Sequence, residues 1–209
     1  LIHKSWGIGQ APDTDANYFN HTVWRNGEQL KANGYCTDLF FDAAIQFLRF
    51  DSEKPFFVYI APNVPHTPLD IARAYSQPFL DRGIDPRTAA IYGMLKNLDE
   101  NFAALLQAID EEGLVDETLI IFMTDNGSSL AMQSDGEPLS MLSDELLARL
   151  NVTSSSLNLS MRGGKNSVYE GGHRVPFLIK FPDKAQVTPK TIGSLTAPVS
   201  YTHLRAHET

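Results

Sequence analysis

The segment Thr118-Leu-Ile-Ile-Phe-Met-Thr-Asp-Asn-Gly127 organises the rest of the chain. Residues 119–124 are apolar or β-branched and carry no charge. A short run of this kind reads as a strand buried on both faces of a sheet. It stops at Asp125-Asn126-Gly127, so two oxygen-bearing side chains stand at the carboxyl end of a central strand, followed by a residue that tolerates a sharp turn. In open α/β sheets ligands bind at that edge. Asp and Asn oxygens there suit a hard cation such as calcium or magnesium. The same three residues are also ordinary turn chemistry, so this segment by itself leaves a metal-binding rim and a plain turn both open.

Upstream of it, residues 88–112 form the longest helical pattern, with Ile91, Leu95, Leu98, Phe102, Leu105, Leu106 and Ile109 as the apolar stripe and Gly113 as the stop. Further upstream, residues 56–61 (Phe-Phe-Val-Tyr-Ile-Ala) read as a second buried strand. Strand, helix, strand in this order argues a parallel pair and an α/β fold. The strand at 56–61 runs into Pro62-Asn-Val-Pro-His66-Thr-Pro68, where three prolines stiffen the loop and hold His66 near a strand end. A lone histidine is more often structural than catalytic, but one braced at such an edge is a candidate site residue. Residues 69–87, with Pro78 and Pro86, read as a surface connection.

Towards the start, residues 1–34 read as an irregular loop with a short strand at 21–25 and a tight turn at Asn26-Gly27. A helix begins at Thr37 or Asp38, either of which can cap it, with Phe40, Ala43, Ala44, Phe47 and Leu48 on one face. Downstream of the central segment, residues 128–160 are Ser-rich and polar and read as an insertion, with a short helix at 143–150. Then comes Met161-Arg-Gly-Gly-Lys165-Asn-Ser-Val-Tyr-Glu-Gly-Gly-His-Arg-Val-Pro176. Its glycines let backbone come close to a ligand, and Lys165 adds a compact positive charge. It is not a Walker loop, because Leu159 stands where that spacing needs glycine; a glycine hairpin with a solvated lysine is the plainer alternative. Residues 177–181 read as a further strand, ended by Pro182.

The bulk numbers narrow the field. At 209 residues, 43% hydrophobic and 10% aromatic, the chain has the make-up of a globular α/β domain. Seventeen basic against 25 acidic residues give a net charge of −8 without a basic stripe, which argues against a nucleic-acid partner. No apolar run reaches membrane-spanning length, and no signal peptide opens the sequence. The first residues read like the middle of a domain, so an incomplete domain is expected. A single cysteine, Cys36, excludes an internal disulfide framework. Nothing in the sequence indicates an oligomeric state.

Four blocks together are specific: Gly34-Tyr-Cys-Thr-Asp-Leu-Phe-Phe-Asp-Ala-Ala; Lys54-Pro-Phe-Phe-Val-Tyr-Ile-Ala-Pro-Asn-Val-Pro-His-Thr-Pro; Leu98-Asp-Glu-Asn through Thr124-Asp-Asn-Gly; and Arg162-Gly-Gly-Lys through Tyr169-Glu-Gly-Gly-His-Arg-Val-Pro. In order and spacing the chain resembles the sulfatase family of the alkaline-phosphatase-like superfamily, over most of residues 25–182 apart from the insertion. The resemblance implies a central, mostly parallel or mixed sheet flanked by helices, of which residues 1–199 are part. It implies hydrolysis of sulfate esters by a formylglycine nucleophile made from Cys or Ser, with a calcium ion holding the sulfate. Asp125 and Asn126 match a pair of metal ligands, and Asp125 also matches the acceptor of the nucleophile's proton. His66 and Lys165 match cationic residues that touch the sulfate and assist the leaving oxygen. Independent physics agrees, since donors at a developing oxyanion accelerate such a reaction.

The match is partial. The signature Cys/Ser-x-Pro/Ala-x-Arg is absent: Thr37-Asp-Leu-Phe40 follows Cys36. The formylglycine is therefore expected outside this chain, together with the first metal-binding Asp pair, and the isolated chain is expected to be inactive. Residues 200–209 depart from the family and read as a foreign tail, with His203 and His207 discounted as a metal pair. Arg162, Glu170 and Arg174 read as structural, and His173 as core or supporting. His3 is read as an ordinary loop residue in preference to one lining a substrate subsite, and Asn20, Asn151 and Asn158 fit the glycosylation pattern, a short match that is common by chance and matters only in a eukaryotic secretory context. The substrate implied is a sulfated saccharide or aryl sulfate, and the compartment implied is periplasmic, secreted or lysosomal. Two alternatives stand beside this: a related phosphodiesterase or phosphonate hydrolase, and a non-catalytic relative that binds sulfated glycans.

Overall fold

The structure, a computed structural model, describes residues 18–50, 54–128 and 161–182, the backbone of 2–3, and the single positions 185, 187, 188 and 191. The expected helix at 143–150, the tail at 200–209 with His203 and His207, Asn151, Asn158 and the His3 side chain lie outside the described residues.

Strand β1 (Ile2–His3) pairs antiparallel with β2 (Thr22–Arg25), and β2 pairs antiparallel with β3 (Glu28–Lys31). The β2–β3 hairpin closes on Asn26 and Gly27, both at positive φ (53° and 91°), the backbone that a two-residue turn of this hand requires. This is the turn expected from the sequence.

Helix α1 (Cys36–Leu48) forms where expected, but its start and its face differ. Tyr35 occupies the N-cap position, with no side-chain cap. Asp38 instead accepts from the amide nitrogens of Asn97 and Asn101, each at 2.8 Å, and so ties α1 to α3 (Pro86–Glu111). The buried residues of α1 are Cys36, Thr37, Phe41 and Ala44, whereas Phe47, placed by sequence on the core face, is exposed. Phe41 rather than Phe40 is the central anchor, packing with Leu105 and Ile109 of α3.

The connection at 69–87 contains a helix, α2 (Arg73–Leu80), that the sequence reading missed. Pro78 lies inside it, and a proline there removes one helix hydrogen bond. The helix is held by packing on α3. At Gly93 an added Cβ would sit 3.0 Å from the Ser76 backbone nitrogen, and Phe79 meets Tyr92 edge-on.

Helix α3 starts at Pro86, a proline in the first turn, with Asp85 as N-cap accepting from the backbone nitrogens of Arg87 and Thr88. It ends as expected at Gly113 (φ 69°), whose amide bonds to Asp110 while that of Leu114 bonds back to Ile109, a Schellman closure. Of the expected stripe, Ile91, Leu105 and Ile109 are buried and Leu98 and Phe102 pack on the core, but two positions depart from it. Met94 and Asn97 are buried, and Leu95 and Leu106 are exposed.

Strand β4 (Ile120–Met123) follows and pairs antiparallel with β5 (Phe177–Lys180), in the register Met123↔Phe177. β4 is not buried on both faces. Ile120 and Phe122 point at the helices, Phe122 meeting Phe102 at 5.9 Å, while Ile121 and Met123 are exposed. Residues 56–61 likewise form no ladder among the described residues, so the expected parallel pairing with β4 is not made there. Val58 and Ile60 pack on the α1–α3 core, and Phe57 and Tyr59 face outward. An alternation of this kind is that of a chain covered on one side only. Among the described residues the fold is an α/β arrangement of helices packed with small antiparallel sheets.

Because Met94 and not Leu95 faces the core, Met94→Ala should lower the unfolding free energy by about 2–5 kcal/mol. Leu95→Ala should change it by less than about 1 kcal/mol. Urea unfolding of the two variants checks the assignment; equal losses would contradict it.

Candidate functional site

Chain geometry brings two of the four blocks together. Antiparallel pairing of β4 with β5 puts the residues after Met123 beside those before Phe177, and the Thr124 amide reaches the Pro176 carbonyl at 3.4 Å. The contact continues past the strands. Gly127 N–H donates to the Gly172 carbonyl at 2.9 Å, and Lys165 N–H donates to the Ser128 carbonyl at 3.2 Å. The Asp125–Asn126 turn is thus bonded on both sides to the glycine block that carries Lys165.

The glycine block is itself a folded unit. Gly171 N–H donates to the Arg162 carbonyl, Ser167 N–H to that of Gly164, and Gly172 N–H to that of Tyr169. Gly163 and Asn166 take positive φ (79° and 69°). A single turn, α4 (Glu170–His173), leads out towards β5. Gly127, Gly164, Gly171 and Gly172 are buried. A Cβ at Gly127 would overlap the Gly171 carbonyl, and one at Gly172 would overlap the Ser167 carbonyl. These glycines therefore let backbone meet backbone, where the sequence suggested backbone meeting ligand.

Asp125 is exposed, and its Oδ1 accepts from the Asn126 backbone nitrogen at 2.8 Å. The Asn126 side-chain nitrogen donates to the Gly127 carbonyl at 3.1 Å, so Oδ1 is the atom of this side chain with the chemistry to meet a cation. The pair offers two hard oxygen donors at a solvent-facing rim, a chemistry that fits calcium or magnesium. Among the described residues no group of three or more His, Cys, Asp or Glu side chains is placed to hold a metal ion. No helix of the described residues is long and apolar enough to cross a membrane.

His66 is held from another direction. Its amide donates to the Asn63 carbonyl at 2.9 Å, and its own carbonyl accepts from the Tyr18 hydroxyl at 2.8 Å. Nδ1 lies 2.8 Å from the Thr67 carbonyl. A carbonyl can only accept, so Nδ1 carries the proton and Nε2 is the nitrogen suited to a ligand. These contacts run to the Tyr18 side of the helical core and not to the Asp125–Lys165 loops.

The remaining candidates sort plainly. Arg174 pairs with Glu170 at 3.2 Å on the surface, and the Arg162 guanidinium lies 3.6 Å from the Tyr169 ring centroid, so both act within the glycine block. His173 is exposed, not in the core. Cys36 is buried, packed in one cluster with Tyr18, Tyr35 and Met94. Sequence reading missed Tyr18 and Tyr35, whose hydroxyls anchor the His66 loop. The aromatic-rich run around Tyr18 was visible, but nothing in its spacing showed where it packs.

The family model Sulfatase matches residues 4–204. The chain belongs to the sulfatase family. It is similar to N-acetylgalactosamine-6-O-sulfatase of Bacteroides thetaiotaomicron, with 29% identity over 155 residues, 71% of this chain and 26% of that protein. It is similar also to human arylsulfatase A, with 29% identity over 164 residues, 76% of this chain and 25% of that protein. Among solved structures, Ps i-CgsB in complex with k-i-k-neocarrahexaose superimposes with a TM-score of 0.62 at 30% identity, over 78% of this chain and 31% of that one. This sulfatase chain spans about a quarter of the length of the curated relatives it matches.

Gly127→Ala should separate the two loops, because the overlap it creates is with backbone that no rotamer change can relieve. The expected result is at least tenfold faster amide exchange at Lys165. Unchanged exchange at Lys165 in Gly127→Ala would contradict the docking.

Proposed function

We propose that the polypeptide carrying this segment hydrolyses sulfate esters and that residues 1–209 supply one side of its site. The observation that supports this most is the bonding of the Asp125–Asn126 turn to the Lys165 loop within a sulfatase-family chain. Asp125 and Asn126 would hold a calcium ion, with magnesium as the other hard cation this pair accepts. Bound there, the ion supplies Lewis-acid stabilisation of the sulfuryl oxygens.

The chain's own residues act on the nucleophile's proton, the sulfate and the leaving oxygen. The Asp125 carboxylate takes a proton from the attacking nucleophile. The Lys165 ammonium donates to a sulfate oxygen and offsets its charge. His66, with Nδ1–H held by the Thr67 carbonyl, uses Nε2 to donate to the leaving oxygen once that nitrogen is protonated. The nucleophile does not fit any residue of this chain. Cys36 is 1% exposed and lacks the signature that formylglycine formation needs, so we assign the formylglycine to chain outside residues 1–209.

For substrate we infer a sulfated saccharide or an aryl sulfate. One relative is named for N-acetylgalactosamine-6-O-sulfate, another is an arylsulfatase, and a structural neighbour holds an oligosaccharide. A compartment outside the cytoplasm, periplasmic, secreted or lysosomal, agrees with that substrate class.

Turnover of an aryl sulfate and an aryl phosphate by the polypeptide of full family length tests the proposal. Sulfate should be released preferentially, and Lys165→Ala and His66→Ala should each lower kcat by roughly 10²–10³-fold. Residues 1–209 alone should turn over neither. Preference for the phosphate would favour a phosphodiesterase or phosphonate hydrolase, and no turnover of either by the full-length polypeptide would favour a glycan-binding relative.

A further inference from the structure

Two buried tyrosines grip the loop that carries His66. Tyr18 is 1% exposed and Tyr35 4%, and their rings stack with centroids 5.5 Å apart. The Tyr18 hydroxyl lies 2.8 Å from the His66 carbonyl and 3.0 Å from the Asn63 carbonyl. One hydroxyl hydrogen is thus shared between the two carbonyls that bracket the 63–66 turn. The Tyr35 hydroxyl donates to the Asp70 carbonyl at 3.1 Å. Together the phenols hold both ends of residues 63–70.

Tyr18 is fixed in its turn. Its carbonyl accepts from Cys36 N–H at 2.8 Å, and its neighbour Phe19 bridges Tyr35 antiparallel. The segment before β2 is therefore registered on the first turn of α1, and α1 is locked to α3 through Asp38. Burial, with Cys36 and Asp70 nearby, pushes the Tyr18 phenol far above its ordinary range. The Tyr35 phenol is raised as well, first by burial. Both stay protonated donors across any working pH.

We propose that Tyr18 is a positioning residue for His66, setting the imidazole through the main chain of residues 63–66, with Tyr35 fixing the far end of the same loop at Asp70. The proposal rests on the reading of His66 as a donor to the sulfate's leaving oxygen. A displacement of about 1 Å at such a donor is enough to lose roughly 10²-fold in rate, so a rigid tether matters. The proline content of the loop stiffens it, and the hydroxyls decide where the stiff loop is docked.

The test is amide exchange and ¹⁵N imidazole spectra of the 209-residue chain as Tyr18→Phe and Tyr35→Phe, substitutions that keep the rings and remove one hydroxyl each. Tyr18→Phe should speed exchange of the His66 amide about tenfold, the size expected for losing one hydrogen bond that holds the turn. It should also shift the imidazole signature from Nδ1–H towards a mixture of tautomers. Tyr35→Phe should speed the Asp70 amide and leave His66 within twofold. Amides of α3 at Met94 and Leu105 report global stability and give the reference against which the His66 change is read. A His66 amide within twofold of the parent in Tyr18→Phe overturns the proposal. So does equal acceleration at Met94 and Leu105 with an unchanged imidazole signature, which would make Tyr18 an ordinary core residue. The functional reading is tested apart: full aryl sulfate turnover by His66→Ala in the full-length polypeptide overturns the catalytic half of the proposal whatever the exchange shows.

Discussion

A single main-chain hydrogen bond, Gly127 N–H to the Gly172 carbonyl, is the contact on which the candidate site depends. It can form only because neither residue has a Cβ. A hydrogen bond of this kind is worth about 1 kcal/mol net, so its energy is not what makes it decisive. Its consequence is geometric. It fastens a turn bearing a carboxylate and an amide oxygen to a loop bearing an ammonium, with neither side chain used as the fastener. The turn and the loop are thus joined through backbone atoms and not through the side chains of Asp125, Asn126 and Lys165.

His66 follows the same logic on other elements. The hydroxyls of Tyr18 and Tyr35 take loop carbonyls, and the loop's prolines reduce the number of shapes those contacts must select. Behind both arrangements stands the α1–α3 pair. Phe41 packs on Leu105 and Ile109, and Asp38 takes both Asn97 and Asn101 across the interface. Val58, Ile60 and Ile120 lie on that pair, so the segment leading to His66 and the strand leading to Asp125 share one support. A charged carboxylate bonded to two amides in a half-buried interface is directional in a way that apolar packing is not. It fixes how α1 and α3 are rotated against each other.

Much of this is legible in the sequence where local chemistry decides the outcome. Asn26-Gly27 announced its hairpin and Gly113 its helix stop, because each needs a backbone that few other residues adopt. Element faces were harder. The stripe drawn on α3 counted only large apolar residues, so it favoured Leu95 and Leu106. The buried face in fact includes Ala89, Asn97 and Ala108, which carry little signal in hydrophobic periodicity. Residues 56–61 and 119–124 read as strands covered on both sides because composition cannot separate one covered face from two. Pro78 read as a breaker, and α2 formed around it because packing on α3 outweighs one lost hydrogen bond. The candidate site residues were assigned from the order of four blocks. Their placement was not, since it rests on backbone-to-backbone bonds and on Tyr18, which side-chain patterns do not reveal.

The claim that these loops build one oxyanion rim is tested most directly by a crystal structure of the full-length polypeptide with calcium and sulfate. The account predicts a cation at about 2.3–2.6 Å from oxygens of Asp125 and Asn126. It also predicts Lys165 Nζ and His66 Nε2 each within about 3.2 Å of a sulfate oxygen. A cation bound away from Asp125, or a sulfate that contacts Lys165 while the His66 imidazole lies at a different rim, would contradict it.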